Sequence, residues 1–152
     1  MKLDRTDAKF VDYLFSAECS FEAILVEIKT PTAKLLGAEY RKGLYAASAE
    51  LSGAIVQTLT SRAELIRNLG AITAGTPHAI NAFNPRCVLV LGNAEAQLMD
   101  DHARRLFELF SASCDVEVIT YDELFRKVEI LAELFRIIRS SAAATPANGS
   151  RP

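Results

Sequence analysis

Lys9–Lys29 reads KFVDYLFSAECSFEAILVEIK. It holds two runs rich in Val, Ile, Phe and Tyr, Lys9–Phe15 and Phe21–Lys29, divided by a short polar stretch, which is the pattern of two neighbouring strands. If Asp12 lies opposite Glu27, then Val11 faces Ile28, Tyr13 faces Val26 and Phe15 faces Ile24. These six apolar or aromatic side chains share one face, because strand side chains alternate. Phe10, Asp12, Leu14, Leu25, Glu27 and Lys29 share the other. The expectation is a core face formed by the first set and a polar patch on the second, with the turn between Cys19 and Ser20. Cys-Ser lacks the Gly or Asn that tight hairpins favour, so a looser loop would shift the pairing.

Downstream, Thr30-Pro31 opens a loop, and a helix is expected over Leu44–Leu69, with Leu51, Ile55, Leu59 and Ile66 inward and Gly70 as its stop. Ala71–Pro85, with Gly75, Pro77 and Pro85, reads as loop. Arg86–Leu91 is a short apolar run suited to an inner strand. Glu95–Ser113 reads as one helix with Leu98, Leu106, Leu109 and Phe110 inward, and Val116–Thr120 as a strand. A last helix opens at Thr120 or Tyr121 with Asp122 and Glu123 in its first turn, where carboxylates favour the dipole. It carries Leu124, Val128, Leu131 and Phe135. The order β-β-α-β-α-β-α implies a single α/β domain, residues 1–139, built on a mixed sheet flanked by helices. Residues 140–152 (SSAAATPANGSRP) bury too little apolar surface to order themselves and read as a tail. The first strand starts within ten residues of Met1, where such a sheet would normally carry a covering element, so an N-terminal core element is expected to be short or missing.

Composition narrows the class. With 152 residues, half of them hydrophobic and 24% charged, the chain suits one soluble core. No apolar run approaches the ~20 residues of a membrane span, and MKLDRTDAKF lacks a secretory design. Three cysteines, Cys19, Cys87 and Cys114, without a C-x-x-C pair, indicate neither a disulfide framework nor a zinc site, so a reducing cytoplasm is expected. Cys87 and Cys114 read as small buried hydrophobes. The net charge of −2 is unevenly spread. From Lys29 to Arg67 six basic residues (Lys29, Lys34, Arg41, Lys42, Arg62, Arg67) meet three acids, and from Asn93 to Arg139 ten acids meet six bases. A nucleic-acid duplex would meet the first half. Ordinary solvated surface explains the same charges.

The chemistry rests on Asp12, Glu27 and Lys29. Two carboxylates a strand spacing apart suit Mg²⁺ or Mn²⁺, hard cations that take oxygen ligands, with the Ile28 carbonyl as a further ligand. Such an ion relieves charge on a scissile phosphate and acidifies a bound water. Lys29, two residues beyond Glu27, would orient that water or stabilise the transition state. Gln57, on the long helix with Glu50, Gly53 and Ser61 on its side, would position water or phosphate. Against this, V-E-I-K at a strand end is a common string, and a solvated strand face accounts for it. His78 and His102 have no metal-binding spacing. Gly92-Asn93 resembles a phosphate-loop fragment, but no G-x-G-x-x-G or Walker pattern follows, so no nucleotide cofactor is expected.

These residues sit within stretches that resemble the Shedu anti-phage nuclease family, a branch of the PD-(D/E)xK enzymes. The stretches are ILVEIKTP (Ile24–Pro31), ELSGAIVQ (Glu50–Gln57), PRCVLVLGN (Pro85–Asn93) and VITYDELFRKVEIL (Val118–Leu131). They run in the family's order between Val11 and Phe135. The resemblance implies a restriction-endonuclease-like fold and divalent-metal-dependent DNA cleavage in bacterial defence. It implies Asp12, Glu27 and Lys29 as the centre, Gln57 as auxiliary, and self-association into a homo-oligomer. The chain departs from the family in its short upstream helix and strand, and in Ser61, where members often carry an aromatic. The competing expectation is a catalytically silent module that keeps the nuclease fold as a subunit or regulator.

Overall fold

In the computed structural model the described residues are 12–16, 22–73 and 81–143. The expected hairpin register is present. β1 (Tyr13–Ser16) pairs antiparallel with β2 (Glu22–Ile28), with Tyr13 facing Val26, Leu14 facing Leu25 and Phe15 facing Ile24. The turn, with Cys19, lies outside the described residues, as do Phe10, Val11 and His78.

The two faces are the reverse of the expected ones. Ala23, Leu25 and Glu27 are buried, whereas Tyr13, Phe15 and Ile28 are exposed. Alternation tells which side chains share a face, but the helix that lies on the sheet decides which face is inside. That helix is α1 (Ala49–Thr73), which crosses β2 and β5 (Asn81–Val90). Leu51, Ala54, Ile55 and Leu65 of α1 form one core with Ala23, Leu25, Cys87, Leu89 and Leu91. β2 and β5 run parallel, Leu25 beside Cys87 and Glu27 beside Leu89. Glu27 therefore lies within an apolar row. β6 (Glu117–Ile119) adds parallel to β5, so the sheet order is β1-β2-β5-β6, a mixed sheet with helices packed on it.

Residues 36–47, expected to be loop and the start of a helix, form a separate hairpin. β3 (Leu36–Arg41) and β4 (Leu44–Ala47) pair antiparallel around Lys42-Gly43, and Gly43 has a φ of 74°. A left-handed residue between runs containing Tyr40 and Tyr45 is a hairpin signal. The helix starts later because Ser48 caps it. Its hydroxyl accepts from Leu51 N–H at 2.9 Å and donates to the Lys34 carbonyl. The helix also runs past Gly70 to Thr73.

The single helix expected over Glu95–Ser113 is two. α2 (Ala94–Gln97) is capped by Asn93, and α3 (Asp101–Ala112) by Asp100, whose extended backbone interrupts the turn and whose carboxylate accepts from Ala103 N–H at 2.7 Å. Leu98, Ala103 and Phe107 are the buried residues of this stretch, while Leu109 is exposed. α4 (Tyr121–Ala143) begins where expected and continues through the first four residues read as tail; residues 144–152 lie outside the described residues. Val128, Leu131 and Phe135 are exposed on it. No helix among the described residues is long and apolar enough to cross a membrane. Burial pushes the Cys87 thiol up, more than Arg62 lowers it, in keeping with a core role.

Asp122 ties the start of α4 to that of α2 by accepting from Ala94 N–H at 2.8 Å. Partial burial raises its carboxyl, but hydrogen bonds from Ala94, Thr120 and nearby backbone outweigh this and hold it below the ordinary value. A depressed folded value stabilises fully above the unfolded one, about pH 4, and is lost as pH falls through the folded one. Asp122→Asn is therefore expected to flatten the acid limb of a urea-midpoint profile below about pH 4. An unchanged limb would count against the contact.

Candidate active site

Parallel strands gather their C-terminal ends at one edge, where open α/β sheets hold ligands. Here Lys29, Gly92 and Tyr121 follow β2, β5 and β6 at that edge. Lys29 N–H donates to the Val90 carbonyl at 2.8 Å, and the Lys29 carbonyl accepts from the Tyr121 hydroxyl at 2.8 Å. Thr30 is fixed in turn, its carbonyl accepting from Gly92 N–H at 3.0 Å. The backbone of Lys29 is thus clamped on both sides. Tyr121 belongs to the site's frame, a role sequence reading missed because it saw only a helix start.

The side chains form a closed triangle. Lys29 Nζ donates to Glu27 Oε1 at 2.6 Å and to Gln57 Oε1 at 2.9 Å, and Gln57 Nε2 donates to Glu27 Oε1 at 2.7 Å. Gln57 reaches the sheet from α1, beside the buried stripe of Ala54, Thr58 and Ser61. The Glu27 side chain is 3% exposed and that of Lys29 33%. Both donors converge on one carboxylate oxygen, and Glu27 Oε2 is buried with no hydrogen-bond partner. An unpaired buried acceptor costs about 1–3 kcal/mol, more when charged. An ammonium has three N–H donors, two of which are used here.

Asp12 stands apart from the triangle. It precedes β1, is exposed, and its Oδ2 accepts from Ile28 N–H at 2.8 Å. The N–H and C=O of a strand residue point to the same edge, so the Ile28 carbonyl faces the β1 side together with that carboxylate. Glu50, expected near Gln57, instead accepts from Lys34 N–H at 3.2 Å and holds the loop after Lys29. His102 bonds the Gly43 carbonyl, away from the triangle. Among the described residues no group of three or more His, Cys, Asp or Glu side chains is arranged to hold a metal ion. A site of two acids and a carbonyl is the alternative they leave. The orphaned Glu27 oxygen is a hard donor that fits Mg²⁺ or Mn²⁺, and the Asp12 carboxylate and Ile28 carbonyl, on the β1 side, are donors of the same kind.

Residues 2–125 match the model of the family described as Shedu protein SduA, C-terminal. The chain is 38% identical over 133 residues to Shedu protein SduA of Bacillus cereus (strain B4264), an alignment covering 83% of this chain. It spans 35% of the length of that curated relative. The chain belongs to the Shedu SduA family, in the part described as C-terminal.

Proposed function

We propose that the chain is a divalent-metal-dependent deoxyribonuclease domain that hydrolyses DNA phosphodiesters in bacterial defence against phage. The observation that supports this best is the buried, half-paired carboxylate of Glu27 beside a clamped ammonium. A buried carboxylate oxygen left without a donor is a position that a cation could fill.

Asp12, Glu27 and the Ile28 carbonyl would hold Mg²⁺ or Mn²⁺, which when bound supplies charge neutralisation at the phosphate and a more acidic water. Lys29 presents its third N–H to the reacting phosphate or water, held in place by Glu27 and Gln57. Gln57 fixes the ammonium's direction by accepting one hydrogen bond from it while donating another to Glu27. Tyr121, through the Lys29 carbonyl, keeps the strand end from yielding when substrate binds.

Nicking of supercoiled plasmid in Mg²⁺ or Mn²⁺ tests the reading. Asp12→Asn and Lys29→Ala, each shown folded by circular dichroism, are expected to lower the rate by about 10²-fold or more. Nicking that survives both substitutions, or that EDTA leaves intact, would refute it. So would a folded wild-type chain that cuts no DNA, which would favour the silent module.

A further inference from the structure

The loop that leaves Lys29, residues 30–35, is fixed more firmly than a connection between a strand and a hairpin requires. It opens as a turn in which Ala33 N–H donates to the Thr30 carbonyl at 3.1 Å, and Pro31, second in that turn, presets its own backbone angle. The same carbonyl accepts from Gly92 N–H at 3.0 Å. Gln97, the last residue of α2, grips the next stretch at two points. Its Nε2 donates to the Ala33 carbonyl at 2.9 Å, and its Oε1 accepts from Leu35 N–H at 3.0 Å. Ser48 donates its hydroxyl to the Lys34 carbonyl and its N–H to the Leu35 carbonyl. Ala33 and Leu35 are buried in the core, so side chains anchor the loop as well as hydrogen bonds.

This frame leaves a pair of hydroxyls outside. Thr30 and Thr32 are exposed, and their Oγ1 atoms lie 3.1 Å apart. In such a pair one hydroxyl donates to the other, and the acceptor keeps its own proton to donate onward. A donor polarised in this way suits a strong acceptor. Charge alone does not single the loop out. Lys34 and Glu50, at its far end, contribute one charge of each sign, with Glu50 accepting from Lys34 N–H. Exposed cations such as Arg67, Arg104 and Arg139 lie elsewhere, on the helices. Position singles it out, because Thr30 follows Lys29 directly and the turn keeps Thr32 close to it.

We propose that Thr30 and Thr32 are DNA-binding residues whose hydroxyls hold the phosphate next to the scissile one in the cut strand. The inference rests on the nuclease reading and adds how that strand is aligned at Lys29. One strand of a duplex carries a phosphate about every 3.4 Å of helix axis. A strand with one phosphate at the Lys29 ammonium therefore has a neighbouring phosphate within reach of the turn that follows. Threonine hydroxyls are regular partners of phosphate oxygens, and such contacts set register without reading sequence. Donors on a fixed loop lose little freedom on binding.

The test is steady-state cleavage of a labelled duplex in Mg²⁺ or Mn²⁺, at a cut position first mapped with the wild-type chain. Thr30→Val/Thr32→Val removes both hydroxyls at nearly constant shape. It is expected to raise KM about tenfold and to change kcat less than about twofold, because the contact is made equally in the ground state and the transition state. Each single valine variant is expected to raise KM about threefold, which keeps the test open should the double variant fail to fold. Thr30→Ser/Thr32→Ser keeps the hydroxyls and is expected to match the wild type. An uncharged methylphosphonate at one of the two phosphates flanking the cut is expected to weaken the wild type and to cost the double valine variant nothing further. If the wild type cuts DNA and the valine variants keep its KM, the contact is ruled out while the nuclease reading stands. A serine variant as impaired as the valine one, or a fall in kcat at unchanged KM, would also overturn the proposal, since the pair would then only hold the loop. A folded wild-type chain that cuts no DNA would remove both readings.

Discussion

Lys29→Met is expected to lower stability by about 1–3 kcal/mol in metal-free buffer, and divalent cation is expected to restore much of it. Glu27 is buried, and its one ion-pair partner among the described residues is the Lys29 ammonium. Removing one member of a buried pair leaves an uncompensated charge, which costs about 3–5 kcal/mol in a dry interior. Lys29 is a third exposed, so water reaches the gap and the cost is discounted. Urea unfolding in EDTA measures it. The double variant Glu27→Met/Lys29→Met removes both charges and is expected to be more stable than Lys29→Met alone, revealing the pair's coupling. Adding Mg²⁺ or Mn²⁺ to Lys29→Met gives the freed carboxylate a cation. Binding to the folded state alone contributes about 1.4 kcal/mol at tenfold Kd. Stability unchanged by the substitution would mean that Glu27 is solvated, contrary to its burial. A metal response that persists in Glu27→Gln would place the ion elsewhere.

The candidate site was legible in sequence to an uneven degree. Residues 12 and 27 could be placed because strand alternation is rigid, and one register reconciled six apolar side chains. Gln57 was singled out on the polar, small-residue side of the helix, away from the apolar stripe. The burial of Glu27 was hidden, since alternation assigns partners without saying which face a helix will cover, and a glutamate in a strand reads as solvent-facing. The helix α1 reversed that by bringing Gln57 over the row of Ala23, Leu25 and Glu27. Tyr121 was hidden for another reason. Its contact with Lys29 spans 92 residues of chain, beyond any local pattern. In the fold, the missed hairpin had a local signal at Lys42-Gly43, outweighed by the helical periodicity that begins close behind it. Asp100 gave a local signal as well, an N-cap inside a stretch taken for one helix. α4 shows the limit of periodicity: Val128, Leu131 and Phe135 recur at helical spacing, yet among the described residues they remain exposed.

Gly92 joins the backbone to the chemistry, and Gly92→Ala is expected to destabilise the fold by about 3 kcal/mol and to cost activity beyond that loss. Two effects add. Gly92 has a φ of 63°, a left-handed conformation that costs a residue with a Cβ about 1–2 kcal/mol. A Cβ there would also lie 2.5 Å from Leu35 Cδ2 and 2.8 Å from the Ala33 carbonyl oxygen. Leu35 is fully buried and the second atom is backbone, so neither yields cheaply. The segment that must move is the one Gly92 holds, since its N–H donates to Thr30 and its carbonyl accepts from Tyr121 N–H. Thr30 adjoins Lys29, and Tyr121 bonds the Lys29 carbonyl, so displacement passes directly to the ammonium. A shift of about 1 Å at a catalytic group costs on the order of 10²-fold in rate. The comparison is Gly53→Ala in α1, where a Cβ meets nothing within 4 Å. That variant is expected to gain about 0.5–1 kcal/mol, because alanine suits a helix interior better than glycine. Urea midpoints and plasmid nicking at a temperature where both variants are folded separate the two effects. If Gly92→Ala matches Gly53→Ala in both, the loop does not depend on that close approach, and Lys29 must be positioned by β2 and Tyr121 alone.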